Sequence, residues 1–180
     1  MTTVAEVTRP PVITPESTEQ KTQIVTPTPT ANVMSAGWPI TAQSHAATVN
    51  RVAHQYSIDA DMIAALISIE SAWDTEAISS AGACGLTQVM PYGVADWTSG
   101  RPTCSVLTSN PDFAIEYGVY LLVIMYQHEN ANWERALGSY LCGYPDSKTG
   151  AWDTPTLDAH CRDYAQRIIA LARSMKPPNG

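Results

Sequence analysis

From Tyr117 to Tyr126 the chain runs Tyr-Gly-Val-Tyr-Leu-Leu-Val-Ile-Met-Tyr without a single charge. A membrane span needs roughly 20 apolar residues, so this run is too short to cross one. A helix that is apolar on every side must instead be covered by its own protein. The surrounding punctuation extends the element from Pro111 to about His128, with Phe113, Ile115, Leu121, Leu122 and Ile124 supplying contact. The expectation is a central, mostly enclosed helix, with other helices packed around it.

Those helices are legible in the flanking sequence. In the segment from His45 to Tyr56, Val49, Val52, Ala53 and Tyr56 recur at spacings of three and four, a single apolar stripe. Asp59 stands where it can cap a second helix reaching about Ala72, and Asp61 falls in its first turn, where the macrodipole favours an anion. Further helices are expected over Asn132 to Leu141 and Leu157 to Met175, the last stopped by Pro177-Pro178, and a short one near Tyr92 to Trp97. Ala81-Gly82-Ala83-Cys84-Gly85 reads as tightly packed irregular backbone. No long strand is demanded, so the fold class is all-α, mainly helical.

Residues 1–41 differ in kind. They are rich in Thr, Pro, Val and Glu, include Thr26-Pro27-Thr28-Pro29-Thr30, and show neither helical nor strand periodicity. Such a segment buries too little apolar surface to offset its ordering entropy, so it is expected to be an extended N-terminal arm that other chains could hold as a docking peptide. The domain is then expected over 42–176, with a tail at 177–180. The N-terminus lacks the basic start and apolar run of a secretory signal.

A formal net charge of −7 with only 10 Lys and Arg argues against nucleic-acid binding, which needs clustered cations on the phosphates. It also gives little attraction to an anionic polymer, so recognition of such a polymer would rest on groove shape and hydrogen bonds. Cys84, Cys104, Cys142 and Cys161 form no CxxC pair and no regular metal spacing with the histidines, so no metal site is expected. From spacing alone the four cysteines are either buried thiols or two disulfides in any of three pairings.

One acidic residue stands on the wrong face. On the helix that begins after Asp59, Glu70 follows Ile63 by seven residues, Leu66 by four and Ile67 by three, which puts its carboxyl in the apolar stripe. Most helical glutamates face water or an ion pair. One withdrawn from water has its charged form disfavoured and its pKa raised, and a carboxyl kept protonated in a cleft is a general acid. Cleavage of a glycosidic bond needs such a group, because the leaving oxygen departs poorly until it receives a proton. Most glycosidases add a second carboxylate. No local pattern aims Asp74 or Asp96 at Glu70, and a single-acid mechanism fits the residues better.

Glu70-Ser71, followed by Ser79-x-x-Gly82-x-x-Gly85-Leu86-x-Gln88-x-Met90-Pro91, resembles the signature of the soluble lytic transglycosylase family (glycoside hydrolase family 23 type). Ala114-Ile115-Glu116-Tyr117-Gly118, Ala136-Leu137-Gly138-Ser139-Tyr140-Leu141-Cys142-Gly143 and Tyr164 resemble its later segments, so the likeness covers about Thr41 to Ala172. The resemblance implies a lysozyme-like fold, shared with goose-type lysozymes. It also implies cleavage of peptidoglycan strands between N-acetylmuramic acid and N-acetylglucosamine with formation of a 1,6-anhydro ring and no cofactor. It gives Glu70 the acid/base role and makes Ser71, Gln88, Met90, Tyr140 and Tyr164 candidate substrate contacts. Each contact has a plainer alternative: Ser71 and Gln88 can bond backbone, Met90 can be core, and the two tyrosines can be half-buried aromatics with a wet hydroxyl.

The departures are informative. Ala114 and Leu141 stand where the family has asparagine, and His160-Cys161 replaces its Glu-Thr. Cys142 and Cys161 thus both occupy altered positions near the implied site, and a Cys142–Cys161 disulfide in place of lost hydrogen bonds would leave Cys84 to pair with Cys104. With its arm and without an export signal, such an enzyme is expected to be a virion-associated protein of a bacteriophage, acting on the cell wall or in the periplasm. Its partners would be glycan strands and, through the arm, other virion or assembly proteins. A goose-type-like hydrolase and a non-catalytic structural virion or secretion-assembly protein are the competing readings.

Overall fold

The computed structural model describes residues 34–91, 102–146, 148–149 and 151–176. Among these residues a 3-10 turn, Ile40–His45, leads into six helices: α1 (Ala46–Tyr56), α2 (Ala60–Glu70), α3 (Cys104–Ser109), α4 (Pro111–His128), α5 (Trp133–Cys142) and α6 (Pro155–Met175). Among the described residues the only extended pairings are two isolated bridges, Ile78 with Cys84 and Cys84 with Val89. The expected short helix near Tyr92 to Trp97 and the tail lie outside the described residues, as does most of the arm.

Local chemistry sets the helix boundaries. Asp59, Thr103, Asn110, Asn132 and Thr154 each accept a hydrogen bond from a first-turn amide of the helix that follows. Pro111 and Pro155 occupy first-turn positions, where their missing N–H costs nothing. Ser57, in the left-handed conformation at φ 54°, ends α1 by donating its amide back to the last turn.

The main core joins Val49 and Val52 of α1, Ile63, Leu66 and Ile67 of α2, Ile115, Val119 and Leu122 of α4, Leu137 of α5 and Ile168 of α6. α4 is central but less enclosed than its sequence suggests. Phe113 is exposed and the stretch from Val123 to Tyr126 is half-buried. The packed domain also begins earlier than residue 42. Trp38 is buried against Trp73 at a centroid distance of 6.4 Å, and its indole Nε1 donates to the buried Asp61 carboxylate at 2.6 Å. Asp61, expected only as a helix-dipole anion, therefore also anchors the chain ahead of the first turn.

Two contacts bring the glycine-rich loop onto α4 and fix the site. A Cβ at Gly118 would lie 2.3 Å from Thr87 Oγ1, so only glycine lets the loop settle here. Thr87 Oγ1 donates to the Ala114 carbonyl at 2.9 Å. Disulfides join Cys84 to Cys104, tying this loop to α3, and Cys142 to Cys161, tying the end of α5 to α6.

Candidate active site

Glu70 is the last residue of α2, and the chain turns sharply after it. Ala72 and Trp73 take left-handed conformations, φ 50° and 70°, which ends the helix short of the expected Ala72. Such conformations cost of order 1 kcal/mol or more for residues with a Cβ and persist only where the surroundings impose them. Here the buried Trp73 ring is the anchor: its Nε1 donates to Ser68 Oγ at 2.8 Å and its amide to Ser71 Oγ at 3.2 Å. The apolar stripe behind Glu70 is complete, since Ile63, Leu66 and Ile67 are all fully buried.

Burial raises the Glu70 carboxyl from its ordinary value of 4.5 to about 7, and a hydrogen bond from the Tyr164 hydroxyl opposes part of that rise. The C-terminal end of a helix adds to the discomfort of an anion, because unsatisfied carbonyls point there. No carboxylate among the described residues adds to these influences. Tyr140, from α5, donates its hydroxyl to the Thr87 carbonyl at 2.8 Å. Burial, and next the Glu70 charge, hold both phenols protonated far above the ordinary tyrosine range. Glu70 is thus ringed by two neutral hydroxyls, one already bonded to it.

The other candidates separate into two groups. Gln88, Met90 and Tyr140 line a cleft of about 250 Å³. Ser71 does not present a free hydroxyl: Oγ lies 2.9 Å from the Leu86 carbonyl and 3.3 Å from that of Ile67, so its proton goes to backbone. Gln88, at φ 47°, likewise spends its amide nitrogen on the carbonyls of Ala77 (3.1 Å) and Gly85 (2.9 Å), bracing the loop while flanking the cleft. Met90 is 39% exposed, a surface residue of the cleft rather than core.

Sequence reasoning missed Thr87, Leu121, Met125 and Ser139. Thr87 carries Tyr140 and binds α4, and its only local signal is its place between Leu86 and Gln88. Leu121 and Met125, four apart on α4, line the cleft although their spacing reads as core. Ser139 lines it too, and its hydroxyl meets the buried Glu129, which also pairs with Arg135 at 2.7 Å. Among the described residues no group of three or more His, Cys, Asp or Glu could hold a metal ion.

The family model for the transglycosylase SLT domain matches residues 47–152, which includes Glu70, the glycine-rich loop, the cleft and Tyr140. The chain belongs to the SLT domain family. Among solved structures it is similar to the lytic transglycosylase Slt from Pseudomonas aeruginosa, determined as an inactive glutamate-to-glutamine mutant. Identity is 22% and the TM-score 0.54, over 75% of this chain and 25% of that one. The likeness establishes a shared fold, the all-α lysozyme-like arrangement expected from the sequence, and this chain spans about a quarter of that protein's length. Tyr164, on α6, lies beyond the matched SLT segment.

Proposed function

We propose that this SLT domain is a peptidoglycan lytic transglycosylase with Glu70 as its one acid/base residue. The observation that carries the reading is a carboxyl held protonated up to about pH 7 by burial, with no carboxylate partner acting on it among the described residues. Membership of the SLT family and the fold shared with Slt support the substrate class. Glu70 would donate its proton to the glycosidic oxygen as the C1–O bond breaks, while the muramyl acetamido oxygen closes on C1. The Glu70 carboxylate would then take the proton of the muramyl 6-hydroxyl as that oxygen displaces the acetamido group, leaving a 1,6-anhydro end and a reprotonated Glu70. A hydrolase of the goose-lysozyme kind would need a second carboxylate to activate water.

Mass determination of the products from isolated sacculi tests this directly. Anhydro ends are expected, whereas reducing ends would assign a hydrolase. Glu70→Gln should abolish release, and unchanged release would end the enzymatic reading altogether. The Thr- and Pro-rich composition of residues 1–33 supports a finer placement, with the domain tethered to a bacteriophage particle for local wall penetration. Purified particles should then contain the chain, and its absence from them would refute that placement.

A further inference from the structure

The two phenols that ring Glu70 arrive on different helices, and one covalent bond joins those helices beside them. Tyr140 lies two residues before Cys142 on α5, and Tyr164 lies three residues after Cys161, one turn along α6. We propose that the Cys142–Cys161 disulfide is a positioning element for the acid/base residue, holding Tyr140 and Tyr164 around Glu70 and making the site's competence conditional on its oxidation. This deepens the transglycosylase reading and rests on it for the reaction, though not for the geometry.

The rest of the α5–α6 contact explains why the bond acts on the site more than on the fold. Leu137 of α5 and Ala165 and Ile168 of α6 are buried in one core, and Gln166 donates to Glu134 at 3.1 Å near the start of α5. Trp152 is buried against Gly138, where a Cβ would come within 2.6 Å of the ring, and its Nε1 donates to the Gly143 carbonyl at 2.7 Å. These contacts keep the helices together when the bond opens. The end of α5 that carries Tyr140 and the cleft-lining Leu141 then loses its covalent register with Tyr164.

Cys161 is fully buried and Cys142 half-buried, so the Cys142 sulfur is the one an external thiolate can reach. A small dithiol would attack it to form a mixed disulfide and release the Cys161 thiolate. The reagent's second thiol would then displace Cys142, leaving two protein thiols and an oxidised cyclic reagent.

Among the described residues, the titratable and charged groups acting on Glu70 and its two phenols are few: Tyr164 from α6, Tyr140 from α5, Tyr117 from α4 acting on Tyr140, and Arg167 of α6 acting on Tyr164. Burial outweighs the Tyr164 bond at Glu70, so loosening this enclosure and admitting water should lower the Glu70 pKa.

The test compares the oxidised full chain with Cys142→Ser/Cys161→Ser, following the Glu70 carboxyl by carbon-detected NMR titration and kcat on sacculi in parallel. The expected result is a folded variant whose Glu70 titrates about one pH unit lower and whose kcat falls about tenfold or more. In Cys84→Ser/Cys104→Ser, a small dithiol should reproduce both changes and reoxidation should reverse them. An unshifted Glu70 titration in the folded variant overturns the proposal, as does outright unfolding, which would make the bond a fold staple. The titration needs no turnover. An inactive oxidised chain that still shows the shift would therefore count against the proposed function alone.

Discussion

Replacing Tyr164 by phenylalanine removes the one hydrogen bond that, among the described residues, stabilises the Glu70 anion, while leaving the ring that buries it. A hydrogen bond to a charged group contributes roughly 1.5 to 3 kcal/mol, and one pKa unit corresponds to about 1.4 kcal/mol, so the Glu70 pKa should rise by about one to two units. The sign follows from the protonated form being the catalyst: activity is present below the pKa and lost as pH rises through it. The alkaline limb of the rate profile, expected near pH 7 in the native chain, should move to roughly pH 8 to 9 in Tyr164→Phe. Relative to its own plateau, the variant should retain about five- to tenfold more activity at pH 8 than the native enzyme, since the protonated fraction rises from about a tenth to between about a half and nine-tenths. Initial rates on sacculi across pH 5 to 10, paired with NMR titration of the Glu70 carboxyl, read this directly. A limb that stays put or moves to lower pH would refute the assignment of Tyr164 as the counterweight to burial.

Glu70→Gln should be more stable than the native chain above pH 7 by at most about 3 kcal/mol, with the difference fading below the unfolded carboxyl value of 4.5. The reason is that a raised folded pKa gives stability that is present at low pH and lost as the buried group is forced to ionise; thermal melts at pH 4 and pH 8 check it. Trp38→Phe should cost about 2 to 3 kcal/mol by denaturant unfolding, because it leaves the buried Asp61 carboxylate without its indole donor. A neutral result would place Trp38 outside the cooperative domain. Gly138→Ala should cost about 1 to 3 kcal/mol, since its methyl would meet the Trp152 ring at 2.6 Å, with a lower melting temperature as the readout.

Much of the helical frame was legible because its signals are local. The Pro111 start of α4 depends on a residue that needs no amide partner in the first turn, and the Asp59 cap of α2 on a side chain bonding an amide two residues away. The 3-10 turn at Ile40–His45 and the short α3 were not legible. The first lacks a capping side chain, and α3 has only six residues and a single fully buried one, Leu107, too little for a periodic pattern. Glu70 was legible as a misplaced charge for the same local reason: helical spacing alone sets it on the stripe of Ile63, Leu66 and Ile67.

What lies around that carboxyl was a different matter. Tyr164 is 94 residues away in sequence, and Tyr140 reaches Thr87 across 53, so no local pattern could show that both hydroxyls converge there. Whether Ser71 and Gln88 offered their polar groups to a ligand or to backbone was equally undecidable, because the Leu86, Ala77 and Gly85 carbonyls that engage them reach them only once the loop has folded. The sequence by itself thus determined the longer helices, the Asp59 cap and the face on which the acid stands, all consequences of geometry within a few residues. Tertiary packing alone decided how far that acid is withdrawn from water and which hydroxyls temper its charge. Desolvation is a property of everything that surrounds a group, and those neighbours come from the whole length of the chain.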